Sequence, residues 1–191
     1  MKADLYAQSG EKKGEVTLIK EIFEVPFNKD LVHQALVYQL ANARIAIAHT
    51  KTRKDVRGGG VVFGPNKDRN FSKKMPKKMR RKALFCALSE KAKEGMVMAL
   101  EKYEGETKTK PLVELLKKLP IKRDVLIVVP GRDETIERSS KNIENAKTIH
   151  VNYLNIKDLQ KFDNVLFTKE ALEKLEDVFL TETKLAKADN E

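Results

Sequence analysis

The 191-residue chain has no tryptophan, a single cysteine, three histidines and only 6% aromatic residues. Each scarcity removes a class of protein. Cys86 alone cannot form an internal disulfide, so the fold must hold by its core, and a reducing, intracellular compartment is expected. Three scattered histidines at 33, 49 and 150 leave no metal-ligand spacing. No apolar run approaches the ~20 residues that a membrane-spanning helix needs. With no such run a soluble protein is expected, and the first residues, MKADLYAQSGEKKGE, have no apolar core of a secretory signal.

Acidic residues are also scarce, in one place. The formal net charge is +10 and the pI about 9.5. Between Lys51 and Lys82 there are 13 lysines and arginines against two acids, Asp55 and Asp68, so that segment carries +11 and the remainder sums to −1. The chain reads as a nearly neutral body with one strongly basic segment.

The body shows alternating strand and helix patterns. Residues 1–27 suggest a small hairpin or irregular strand pair around the Ser9-Gly10 to Gly14 turn. Val32, Ala35, Leu36, Leu40, Ala43 and Ile47 recur at spacings of three and four, which predicts a helix over about 30–48. Residues 49–75 have no periodicity and few large apolar side chains, and four of the nine glycines lie between Gly58 and Gly64, so this stretch is expected to be an inserted loop or extension. Pro76 suits the first position of a helix and Gly95 its C-terminal cap.

Beyond Gly95, short apolar runs at 96–100, 125–129, 148–154 and 164–167 suit buried parallel strands. Helical patterns lie at 111–119, about 133–146, 157–160 and 169–179. The alternation predicts one α/β domain over 1–191, a mostly parallel sheet flanked by helices, with the basic Gly-rich stretch at 49–75 inserted in it as a loop or extension. Residues 181–191 lack an apolar face and are expected to form a disordered tail.

The basic segment runs into a helix start. Lys77, Lys78, Arg80, Arg81 and Lys82 project all round the first turns, so no single buried face can hide them. Cations near a helix N-terminus are unfavourable by roughly 0.3–1 kcal/mol each, because the unpaired N–H groups already present positive potential. A polyanion reverses that sign, and nucleic acid is the obvious one. RNA is favoured over DNA because no recognition helix, zinc finger or basic zipper is visible, and only Phe63 and Phe71 in this stretch offer rings for base stacking.

Enzyme patterns are weaker. Gly59 and Gly64 have phosphate-loop spacing, but Pro65 and Asn66 stand where such a loop requires Lys and Ser or Thr. The turn Pro130 to Glu134 follows a predicted strand, where open α/β sheets commonly bind ligands. It supports an alternative reading as a small nucleotide-binding domain or enzyme. Cys86 sits among apolar helix residues as an inert thiol, and no catalytic constellation assembles. No enzyme activity and no cofactor are expected.

Taken together, HTKTRKDVRGGG, GGGVVFGP, PKKMRRKALFCALSEKAKEG and NVLFTKEALEKLE resemble the universal large-subunit ribosomal protein number four, in order and over essentially the whole chain. The resemblance implies a structural constituent of the large ribosomal subunit that binds ribosomal RNA and supports subunit assembly, near the polypeptide exit tunnel. It implies large-subunit ribosomal RNA and neighbouring ribosomal proteins as partners, no membrane, no small-molecule substrate, and a cytoplasmic location in the ribosome. The RNA-contacting positions it carries over are Arg44, Lys51, Arg53, Arg57, Gly58, Gly59, Gly60, Lys67, Arg69, Lys73, Lys74, Lys77, Lys78, Arg80 and Arg81. Thr50 and Thr52 add contacts. One departure is large: members of that family carry a long Arg- and Gly-rich, tryptophan-containing loop where this chain fuses its flanks through Gly58–Gly60.

Overall fold

The computed structural model describes residues 1–188 except 53, 56, 60, 62, 104 and 106, and for 181–188 the backbone alone. Two strands open the chain, β1 (Lys2–Tyr6) and β2 (Lys12–Thr17), followed by α1 (Lys20–Phe23) and α2 (Lys29–Ala43). After the extension come α3 (Lys77–Lys93), β3 (Val97–Leu100), α4 (Thr109–Lys118), β4 (Val125–Val129) and α5 (Glu134–Ser140). The chain continues through β5 (Ala146–His150), a 3₁₀ turn, α6 (Ile156–Lys161), β6 (Asn164–Thr168) and α7 (Lys169–Ala188).

The six strands form one sheet in the order β2-β1-β3-β6-β4-β5. Only β1 and β2 pair antiparallel; every other neighbouring pair is parallel. The expected mostly parallel α/β sheet is therefore present. Side chains alternate across it, as the two-residue period of a strand requires. Val97, Ala99, Leu126, Val128, Val165 and Phe167 pack with residues of α1, α2, α3, α6 and α7. Met98, Leu100, Val125, Ile127, Val129 and Leu166 face the other way, against α4 and α5. Burial on both faces explains why these strands read as continuous apolar runs.

α3 lies deep on the first face: Ala83 through Ser89 are all buried, which fits a helix packed on more than one side. Its C-terminus closes with Gly95 at φ +69°, its N–H on Ala92 O and the Met96 N–H on Lys91 O, a pairing that a left-handed glycine permits. Ser89 Oγ donates to Ile22 O at 3.1 Å and accepts from the Val25 N–H at 3.0 Å, tying α1 to α3. The buried Cys86 thiol meets Pro26 O at 3.3 Å, an inert structural contact.

Several boundaries differ from the sequence reading. α2 stops at Ala43, not 48, and Ile45 and Ile47 are 78% and 77% exposed. Their spacing continues the helical period, but no body lies beneath to reward it, and packing rather than periodicity sustains a helix. Pro76 sits one place before the first helical residue, in the capping position. α1 was not legible at all, and α5 ends at Ser140 rather than 146. The α5 hydroxyls of Ser139 and Ser140 bond back to Thr135 O and Glu137 O, a competition that weakens helix continuation. At the other end, α7 has helical backbone to Ala188, over part of the 181–191 stretch read from sequence as a tail. Residues 189–191 lie outside the described residues.

Candidate nucleic-acid interface

Between α2 and α3 the described residues of 44–76 contain neither helix nor strand, yet they are ordered against one another by side chains. Asn42 at the end of α2 grips the backbone of Lys73 twice: its Oδ1 accepts the Lys73 N–H at 2.8 Å and its Nδ2 donates to Lys73 O at 3.2 Å. Farther out, the Arg44 guanidinium lies 3.9 Å from the Phe71 ring centroid, with Arg69 at 5.0 Å. Beyond that, His49 Nδ1 accepts the Lys67 N–H at 3.4 Å and Pro65 O accepts the Thr50 N–H at 3.0 Å. The pairs 42/73, 44/71, 49/67 and 50/65 step outward in one direction while their partners step inward. The extension is thus two antiparallel limbs held in register, with a loop beyond Thr50 and Pro65.

The limbs approach closely where Gly64 meets Thr50. A Cβ on Gly64 would stand 2.9 Å from Thr50 Cβ and nearer still to its Oγ1 and Cγ2, so a side chain there would push the limbs apart. In the outer loop, the Thr52 hydroxyl bonds Asp55, and Gly58 and Gly59 take φ of +77° and +104°. Lys51, Arg57, Gly58 and Gly59 occupy this outer part, exposed to solvent. Arg53 and Gly60, also expected in the site, lie outside the described residues.

Lys67, Arg69, Lys73 and Lys74 line the returning limb, all exposed, and Arg44 and Thr50 line the outgoing one. The returning limb delivers the chain into α3, where Lys77, Lys78 and Arg80 are exposed and Arg81 is half-buried. α3 starts without a side-chain cap and without an acid in its first turn, so its N–H dipoles and these cations add. In the body, Lys2, Lys12, Lys13 and Lys147 pair with Glu15, Asp4, Glu101 and Asp158 at 2.6–2.9 Å. In the extension the described lysine side chains, from Lys51 to Lys74, stand exposed to solvent. Such a ribbon fits a polyanion.

Sequence reasoning missed how the limbs are held. Asn42 lies in no quoted motif, His49 only opens one, and their partners are 31 and 18 residues away. Phe71, read as a base-stacking ring, is instead stacked by arginines of the site; Phe63 is 97% exposed. Tyr38 also went unnoticed, although Arg80 Nη1 donates to its hydroxyl at 3.3 Å. At the strand-end turn, Asp133 is occupied as the cap of α5, accepting from Thr135 and Ile136 N–H at 3.0 and 3.3 Å. Arg132 lies 3.7 Å from Glu134. Nothing there supports the nucleotide-binding or enzyme alternative.

A family model described as the ribosomal protein L4/L1 family matches this chain over residues 16–59 and 56–178. The two matched pieces overlap at 56–59, at the Gly58–Gly60 junction of the sequence. The large ribosomal subunit protein uL4 of Caldicellulosiruptor saccharolyticus is 37% identical over 93% of this chain and 99% of its own length. Those of Thermoanaerobacter sp. and Clostridium novyi are each 37% identical, over 93% and 92% of this chain and 98% of their own lengths. The first of these alignments spans 206 residues, more than the 191 present here, so the relative carries positions that this chain skips. With body and extension matched in order and more than nine-tenths of both partners aligned, the chain belongs to the ribosomal protein L4/L1 family.

Proposed function

We propose that this chain is a structural constituent of the large ribosomal subunit that binds ribosomal RNA and supports subunit assembly. The observation that carries this reading is the in-register pair of limbs bearing exposed cations of one sign and running straight into the uncapped, basic start of α3. Its family is one of ribosomal proteins, not an enzyme class. The backbone-contacting residues are Arg44, Lys51, Arg53, Arg57, Lys67 and Arg69 on the extension, then Lys73, Lys74, Lys77, Lys78, Arg80 and Arg81 toward the body. Thr50, Thr52, Gly58, Gly59 and Gly60 add RNA contacts in this reading.

Large-subunit RNA and neighbouring ribosomal proteins are the partners in this reading, within cytoplasmic ribosomes. A reach to the exit tunnel would depend on the loop that this chain lacks, so binding at the base of the extension is the supported part. Binding should be dominated by counterion release: neutralising ~6–10 phosphates makes affinity for large-subunit RNA fall roughly 10³- to 10⁵-fold between 50 and 200 mM salt. Filter binding across that range tests it. A flat response overturns the reading.

A further inference from the structure

A cavity of about 400 Å³ opens between α2, α3, α6 and α7, beside the basic start of α3 and apart from the limbs. Its floor is apolar, formed by Ala35, Leu84, Leu154 and Ile156, each at most 8% exposed. Two half-buried rings stand at its walls, Tyr38 from α2 and Phe179 from α7. α3 contributes Lys77, Arg80 and Arg81.

The polar groups on the α6 side are already engaged within the protein. Gln39 Oε1 accepts the Lys157 N–H at 3.1 Å. Asn155 caps α6 through Asp158 N–H and donates to Tyr153 O and Asp158 Oδ2. A ligand therefore meets apolar walls and rings below, and among the described residues its charge-bearing contacts come from α3. Arg80 and Tyr38 set one another, the guanidinium donating to the hydroxyl at 3.3 Å with its carbon 5.5 Å from the ring centroid.

An isolated phosphate would use the cations and leave the apolar floor unfilled. An apolar peptide side chain would fill the floor and leave Lys77 and Arg80 facing it. A flat, largely apolar ring attached to phosphates uses both, and the cavity lies in the size range of small-ligand sites. We propose that this cavity receives one unpaired RNA base, stacked against Tyr38, whose flanking phosphates meet Lys77 and Arg80. This rests on the RNA-binding reading above and adds to it a preference for single-stranded over fully paired RNA, since a paired base cannot leave its stack without cost.

The test uses the full chain with a fluorescent single-stranded RNA of about 12 nucleotides carrying 4-thiouridines, and a blunt hairpin of similar length. Photocrosslinks mapped by mass spectrometry are expected on the peptides holding Tyr38 and Phe179. Tyr38→Leu keeps apolar bulk and should weaken the single strand by about 5- to 100-fold, the range of one base–aromatic stack, while hairpin affinity stays within about twofold. Crosslinks confined to the extension, or equal effects on both RNAs, overturn the pocket while leaving salt-dependent RNA binding intact. Shielding of these residues in an assembled particle by a protein neighbour alone also overturns it. Failure of both RNAs to bind at all sinks the RNA reading itself.

Discussion

The sheet body and the basic extension of this chain are held by different forces. In the body, β3, β4 and β6 are buried on both faces, and rings such as Phe23 and Phe167 meet edge to face at 6.3 Å. Burial of that kind is non-directional and roughly proportional to area, so many residues share it. In the extension, side-chain hydrogen bonds, the Thr50–Pro65 backbone pair and the stacking of Arg44 and Arg69 on Phe71 set the register, and among its described residues only Met75, beside α3, joins the buried core. The body can therefore fold on its own chemistry. The extension keeps its shape by single contacts and presents exposed cations to solvent.

Changes in the body should cost stability, and changes in the extension should cost RNA binding. The largest effect is expected for Phe167→Ala, which empties a fully buried position in the central strand β6. It should lose about 3–5 kcal/mol in denaturant unfolding, while the fraction that remains folded keeps the salt dependence of RNA binding. A loss confined to RNA affinity would erase the distinction between the regions.

The converse is Lys73→Glu with Lys74→Glu, both exposed. Each abolished phosphate contact should reduce the log–log salt slope by about 0.9, with unfolding free energy changed by no more than about 0.5 kcal/mol. Equal loss of stability and binding would mean that these cations serve the fold. Asn42→Ala should sharpen the point between the two. It removes two hydrogen bonds to Lys73, each worth about 0.5–1.5 kcal/mol, so amide exchange at Lys73 should quicken while the unfolding midpoint of the body barely moves.

The smallest effect is expected from lengthening the outer loop between Gly58 and Gly59. Each doubling of loop length should cost only about 0.6 kcal/mol, so a flexible insertion there leaves thermal unfolding nearly unchanged. A steep penalty would show that the short junction itself stabilises the limbs.

Legibility in the sequence follows the same division. VLIVV and the Val165–Phe167 part of NVLF announced buried strands because those residues are all apolar, and an uninterrupted run needs apolar cover on both sides. The α3 helix was equally plain between Pro76 and Gly95. α2 was overread, since Ile45 and Ile47 carry the helical period into a region with nothing to pack on. α1 was invisible because four residues cannot show a period. In the site, the cations and glycines were visible as composition, whereas Asn42, His49 and Tyr38 were not, being ordinary residues whose partners lie far along the chain.

The sequence alone determined the alternation of strands and helices, the location of the +11 segment and the junction at Gly58–Gly60, because charge, apolar runs and turn formers are properties of neighbours in the chain. Only the tertiary structure decided that the basic segment folds back as two limbs in register and that α2, α3, α6 and α7 enclose a cavity beside them. Those features are made by contacts between distant residues, which side-chain geometry fixes and linear pattern does not encode.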